Sequence, residues 1–134
     1  RTLFYVKENG EVKIGPTVSN EFKAAGGGFV STTEDLLLFG NEVINPKTIS
    51  KASIAELVKA QVTTKGKKTN YGIGIGVAKV KNNTLRYSHS GGGVGATAFI
   101  MMYPEKDMVI SILTNLSGVN IRKLVGELED VFID

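Results

Sequence analysis

A chain of 134 residues has the length of one domain, with room for a modest core and not for two. With 42% hydrophobic and 22% charged residues and a net charge of +3, it reads as an ordinary globular protein, so no nucleic-acid partner is expected. No cysteine and one histidine exclude a thiolate nucleophile, a disulfide framework and the usual Cys/His zinc clusters, and no apolar run approaches the roughly 20 residues of a membrane span.

The chain opens at Arg1 and not at methionine, as expected either of a processed protein or of a piece of a longer one. Asn9-Gly10 between Leu3–Val6 and Glu11–Ile14 predicts a β-hairpin. Ser31-Thr32-Thr33-Glu34 has the form of a capping box, so Ser31 is expected to cap a helix that starts at about Thr32. Leu36, Leu37, Phe39, Val43 and Ile44 give that helix one apolar face, and Asn45-Pro46 ends it.

Ser50 is placed to cap a second helix, Lys51 to Ala60, with Ile54, Leu57 and Val58 at helical spacing. The polar stretch from Thr63 to Asn70 carries Lys65, Lys67 and Lys68 without interleaved aromatics, and reads as a solvated loop. From Tyr71 the period falls to two: Tyr71, Ile73, Ile75 and Val77 alternate with Gly72, Gly74, Gly76 and Ala78. That predicts a strand with one bare face that another element approaches closely.

Strands are expected at Leu85–Ser90, Ala96–Tyr103 and Met108–Thr114, joined through Asn82-Asn83, the glycine run and Pro104–Asp107. Links this short make neighbours antiparallel, because a parallel connection needs a crossover of about a dozen residues. A last helix from about Val119 carries Ile121, Leu124, Val125, Leu128 and Phe132 on one stripe, suited to cover the sheet. The expected fold is α+β, an antiparallel β-sheet flanked by helices, in a single domain over residues 1–134.

Candidate chemistry concentrates in the stretch from Tyr87 to Gly95, around the single histidine, His89. Gly91 to Ala96 satisfies a loose dinucleotide fingerprint, but those glycines should join a strand to a helix, and here they run into a strand. A nucleophile elbow fails because Ser88 stands where its first glycine is needed. On an extended strand His89 faces away from Ser88 and Ser90, so neither hydroxyl can pass its proton to the ring. The third reading is an edge for an acyl group: a histidine, a hydroxyl, then glycines that let a ligand approach backbone N–H donors.

The order of Ala24 to Gly40, Tyr71 to Val77, Tyr87 to Asn115 and a final amphipathic helix resembles the C-terminal portion of the serine β-lactamase-like family. That group includes class C β-lactamases, penicillin-binding-protein-like peptidases and esterases. His89-Ser90-Gly91 matches its Lys/His-Ser/Thr-Gly element, and Gly26-Gly27 with Ser31-Thr32 through Asp35-Leu36 matches a signature ahead of a helix.

The resemblance implies a partial β-lactamase/transpeptidase-like fold with no metal or organic cofactor. It implies that His89 sets the electrostatics and proton traffic of the site, and that Ser90, with Gly91 beside it, binds substrate. The Gly92 N–H would supply half of an oxyanion hole. Its substrates would be small-molecule or peptide amides and esters, in a periplasmic or other extracytoplasmic compartment.

The family's S-x-x-K and its Y-x-N or S-x-N element are missing from this sequence, and Thr48 to Lys51 and Thr64 to Lys67 give only T-x-x-K outside the needed context. The chain alone is therefore expected to be inactive. The alternative is a non-catalytic module that holds a carboxylate-bearing peptide, or that pairs as a homodimer or with a missing N-terminal part through an uncovered sheet edge.

Overall fold

The computed structural model describes residues 2–133. Asn9 and Gly10 both take positive φ, 51° and 86°, the geometry of the tight hairpin turn that matches strand twist. They join β1 (Tyr5–Glu8) to β2 (Glu11–Ile14), with Glu8 opposite Glu11. The turn uses only these two residues, so Lys7 and Glu8 stay in the ladder and β1 begins later than the predicted Leu3. Backbone bonds from Tyr5 N–H to Asn115 O at 2.9 Å and from Ser117 N–H to Tyr5 O at 3.1 Å tie the hairpin to the end of the main sheet.

Helix α1 spans Thr33–Ile44. Its cap is Thr32 rather than Ser31: Thr32 is extended, and its hydroxyl accepts the Asp35 N–H at 3.1 Å, while the Ser31 hydroxyl donates to Thr32 O. Val43 is buried, with Leu36 and Ile44 packed beside it. Leu37 and Phe39 are 40% and 47% exposed, so the predicted apolar face is divided and only part of it meets the core.

Gly40 explains the close fit, since a Cβ there would lie 2.5 Å from a methyl of Val109 and 3.2 Å from Ile100 and Met102. Helix α2 (Lys51–Leu57) is capped by the Ser50 hydroxyl, which accepts the Ser53 N–H at 3.1 Å. It stops short of the predicted Ala60, where the Leu57 carbonyl accepts the Ile73 N–H at 2.9 Å instead of continuing the helix.

The main sheet has four strands in the order β3-β4-β5-β6, all antiparallel, as the short links require. They are β3 (Gly76–Lys79), β4 (Leu85–Gly93), β5 (Ala96–Tyr103) and β6 (Met108–Thr114). Two sequence expectations need correction. The alternating Tyr71–Ala78 stretch is mostly not strand: Gly72 N–H bonds Ile75 O at 2.7 Å, Gly74 takes φ 76°, and a turn forms ahead of β3. In the other direction, Gly91–Gly93 lie within β4 and not beyond it, opposite Ala98, Thr97 and Ala96.

Each face of the sheet carries its own core. Ile100 and Met102 meet Val43, Ile54 and Ile75 on the α1/α2 side. Met101 and Tyr103, pointing the other way as alternate strand residues must, meet Val125 and Ile133. Val125 belongs to helix α3 (Ile121–Phe132), which starts after its Asn120 cap, slightly later than the predicted Val119, and covers that second face as expected. The architecture is α+β.

Candidate functional site

The register of β4 defines the site. Val80 N–H bonds Thr84 O at 2.9 Å, so antiparallel alternation turns the backbone groups of Arg86 and Ser88 toward β3. The same alternation turns Ser90 and Gly92 to that edge, but β3 ends opposite Ser88. Those two residues therefore present N–H and C=O groups to an edge with no strand beside it among the described residues, while His89 and Gly91 bond to β5.

Side chains alternate with the same period. His89 lies opposite Ile100, on the α1/α2 face, and Ser90 lies opposite Phe99, on the α3 face. Both are exposed, as is the whole stretch to Gly93. The structure thus keeps the two polar side chains on opposite faces of one strand, and among the described residues it brings the imidazole no hydroxyl except that of Tyr71.

Tyr71 is the residue that sequence reasoning passed over. Its Oη lies 3.0 Å from His89 Nδ1, and the Gly74 carbonyl lies 2.6 Å from the same nitrogen. Both partners come from the turn before β3, which folds back over the histidine. Gly72 makes the turn possible, because a Cβ there would collide with the Leu57 carbonyl at the end of α2. Gly76 has a Ser88 oxygen 3.2 Å from where its Cβ would stand. The bare positions thus admit close neighbours, as their spacing suggests, but through a turn more than through a strand.

Beyond His89 the bare strand opens into a cleft of about 520 Å³. Gly91, Gly92 and Gly93 form one wall, and Phe29, Val30 and Ser31 another. Gly91 and Gly93 occupy the positions where side chains would otherwise fill the α1/α2 face, and no atom lies within 4 Å of a Cβ built at Gly92 or Gly93. Phe29 and Val30 are 81% and 78% exposed, so this wall is strongly apolar on its outer side. His89 and Ser90 do not line the cleft; they sit at its border along β4.

Among the described residues no group of three or more His, Asp or Glu side chains is arranged to hold a metal ion. No helix among them is long and apolar enough to cross a membrane. The lysine-bearing loop from Thr63 stays outside the site, closed on itself by Thr63 N–H to Lys67 O at 2.9 Å.

Comparison with known proteins places this edge in context. The family profile described as Beta-lactamase matches residues 4–125. The mouse and human proteins named serine beta-lactamase-like protein LACTB, mitochondrial, are each 27% identical to this chain over 160 aligned residues, and the bovine one is 28% identical. The alignments cover 90% of this chain and 29% of each relative, so the chain spans less than a third of the length of the relatives it matches. In fold it is similar to a D-stereospecific amidohydrolase from Streptomyces sp., with a TM-score of 0.71 and 19% identity over 87% of this chain and 35% of that one. The extent of the family match decides the assignment: this chain belongs to the beta-lactamase family of serine-hydrolase-related proteins.

Proposed function

We propose that the chain forms one wall of an acyl-transfer site that hydrolyses an amide or ester, with the serine nucleophile supplied by residues outside this sequence. The observation that carries the reading is the vacant edge of β4, where Ser90 and Gly92 present backbone donors at the border of a glycine-walled cleft. A substrate carbonyl at that edge would accept the Gly92 N–H as charge develops on its oxygen. The Ser90 hydroxyl would bind the substrate's carboxylate or acyl portion, Gly91 would let it approach, and His89 would move or hold a proton nearby. The substrate is a small-molecule or peptide acyl compound, and no cofactor takes part. Placement in a periplasmic or other extracytoplasmic compartment, or in mitochondria as the animal relatives' names state, belongs to the same proposal.

Alone, the chain is catalytically silent, since none of its serines stands in S-x-x-K. Incubation with a fluorescent penicillin and with a fluorophosphonate, followed by peptide mass spectrometry, tests this. No covalent adduct is expected, and rapid stoichiometric acylation of any residue in the chain would contradict it.

A second reading rests on exposed apolar surface. Phe22, Phe29, Val30 and Leu38 are 70–81% exposed, and Phe29 and Val30 stand together on the cleft wall. Under this reading the chain is an interaction module, in which the same edge holds a carboxylate-bearing peptide, or the face pairs with a second copy or with a missing N-terminal part.

A further inference from the structure

The contacts of His89 Nδ1 fix more than the position of the ring. A carbonyl oxygen can only accept, so the 2.6 Å approach of Gly74 O requires that Nδ1 carry the proton. That nitrogen has one hydrogen, and Tyr71 Oη, 3.0 Å away, then meets it as a second acceptor. Two consequences follow for the neutral ring. Nε2 is left with its lone pair, and no described residue donates to it. The Tyr71 hydroxyl keeps its own proton for another acceptor.

We propose that the Gly74 carbonyl acts as a positioning group that locks His89 in its Nδ1–H tautomer, with the Tyr71 hydroxyl bracing the same ring nitrogen, so that Nε2 stands as an open acceptor and selects ligands that bring an N–H. The proposal rests on the acyl-site reading for its location but not for its chemistry. A neutral imidazole locked this way meets a carboxylate with lone pair against lone pair, whereas an amide supplies an N–H for Nε2. The lock thus favours an amide over a free acid and separates the two functional readings.

The lock also explains why the turn before β3 is built from alternate glycines. Gly74 holds φ 76°, which turns its carbonyl to the ring at little steric cost, and Gly72 lets the same turn seat against α2. The tyrosine and histidine rings are tilted by 47° with centroids 6.5 Å apart, so the two meet through their polar atoms and not by stacking.

His89 is the only histidine in the chain, so its two ring nitrogens give an unambiguous long-range proton–nitrogen correlation spectrum in uniformly labelled protein. At about pH 9, where an ordinary imidazole is neutral, the expected pattern is protonated Nδ1 and unprotonated Nε2. The opposite pattern overturns the lock. Tyr71→Phe removes a hydroxyl that can donate to Nδ1 as readily as accept from it, so the protonated-Nδ1 pattern set by the Gly74 carbonyl is expected to persist in that variant. A reversal to protonated Nε2 in a variant whose amide spectrum is otherwise native overturns the assignment of the lock to the Gly74 carbonyl.

If that variant fails to fold, the wild-type tautomer still decides the lock. At the same pH, acetamide is expected to shift the Nε2 signal further than acetate at equal concentration, and an acetate shift at least as large as the amide's overturns the ligand preference. None of these readouts needs turnover, so absent hydrolase activity leaves them intact and a wrong tautomer leaves the acyl-site reading standing.

Discussion

Arg86 Nη1 on β4 donates to Glu129 Oε1 on α3 at 2.7 Å, and this ion pair fastens the last helix to the sheet face that carries Ser90. Both side chains are largely withdrawn from solvent, 19% and 14% exposed, and the Tyr103 hydroxyl donates to the same carboxylate oxygen at 2.8 Å. Arg86 Nε is buried without a partner, so the guanidinium depends on Glu129 for its compensation. Glu129→Ala is expected to lower unfolding stability by about 2–3 kcal/mol, because it strands a half-buried cation as well as deleting two hydrogen bonds. Tyr103→Phe, which leaves the charges paired, should cost about 1 kcal/mol. Chemical denaturation of the two variants checks the order, and equal losses would mean that the ion pair adds nothing beyond the hydroxyl.

The same cluster predicts an alkaline limit. Burial first, and then the hydrogen bond and charge of Glu129, push the Tyr103 phenol well above its ordinary range. A raised value in the folded state means that stability is complete below the unfolded phenol's pKa, about 10, and falls as pH rises beyond it. Denaturation midpoints should therefore drop above about pH 10 in the wild type and drop less in Tyr103→Phe.

Acid behaviour should be governed in part by Glu42. Its carboxylate accepts the backbone N–H groups of Ile49, Thr48 and Lys47 and the Thr48 hydroxyl, at 2.7–2.9 Å. The Ile49 and Thr48 bonds lead in holding its pKa down to about 2. A lowered value contributes stability that is present above the unfolded carboxyl's pKa and is lost as pH falls toward about 2. Glu42→Gln is expected to flatten the stability profile between about pH 4.5 and 2; an acid limb identical to that of the wild type would refute this.

Gly40 sets two effects against each other. Alanine there gains about 1 kcal/mol of helix propensity. Its methyl, however, enters a space already held by Val109, Ile100 and Met102, and overpacking costs about 1–3 kcal/mol. The close approach to Val109 decides the sign, and Gly40→Ala should lower the thermal midpoint; a rise would show that α1 lifts from the sheet without cost.

Much of this fold was legible because its signals are local. Asn9-Gly10, the cap at Ser50 and the strand from Ala96 to Tyr103 act over a few residues, and all appear where their sequences put them. The Tyr71–Ile75 stretch misled because glycines at alternate positions imitate a strand's period. There Gly72 admits the end of α2 and Gly74 turns the chain. Gly91–Gly93 misled in the other sense, as their partners Ala96 to Ala98 hold them in the ladder despite their flexibility. Of the site, the opposed faces of His89 and Ser90 followed from strand geometry alone. Tyr71 did not, since its contact with His89 spans 18 residues and depends on a turn no local pattern announces.

The exposed apolar surface yields a prediction about association. Sedimentation velocity should detect a concentration-dependent dimer that Phe29→Ser weakens, given that Phe29 is 81% exposed beside the cleft. A strictly monomeric species at every concentration would remove the interaction reading.

Hydrogen exchange reads the geometry of β4 directly. The amides of His89 and Gly91, bonded to β5, should exchange at least about tenfold more slowly than those of Ser90 and Gly92, which face the vacant edge. Uniform protection along the strand would mean that the edge is already occupied.

The central claim is that this edge receives the acyl group, and backbone amide shifts during titration with N-acetylalaninamide test it most directly. The largest changes are predicted at Ser90 and Gly92, with smaller ones at Tyr71 and His89. Largest changes on α3 or in the lysine-bearing loop, with Ser90 and Gly92 unmoved, would contradict the account.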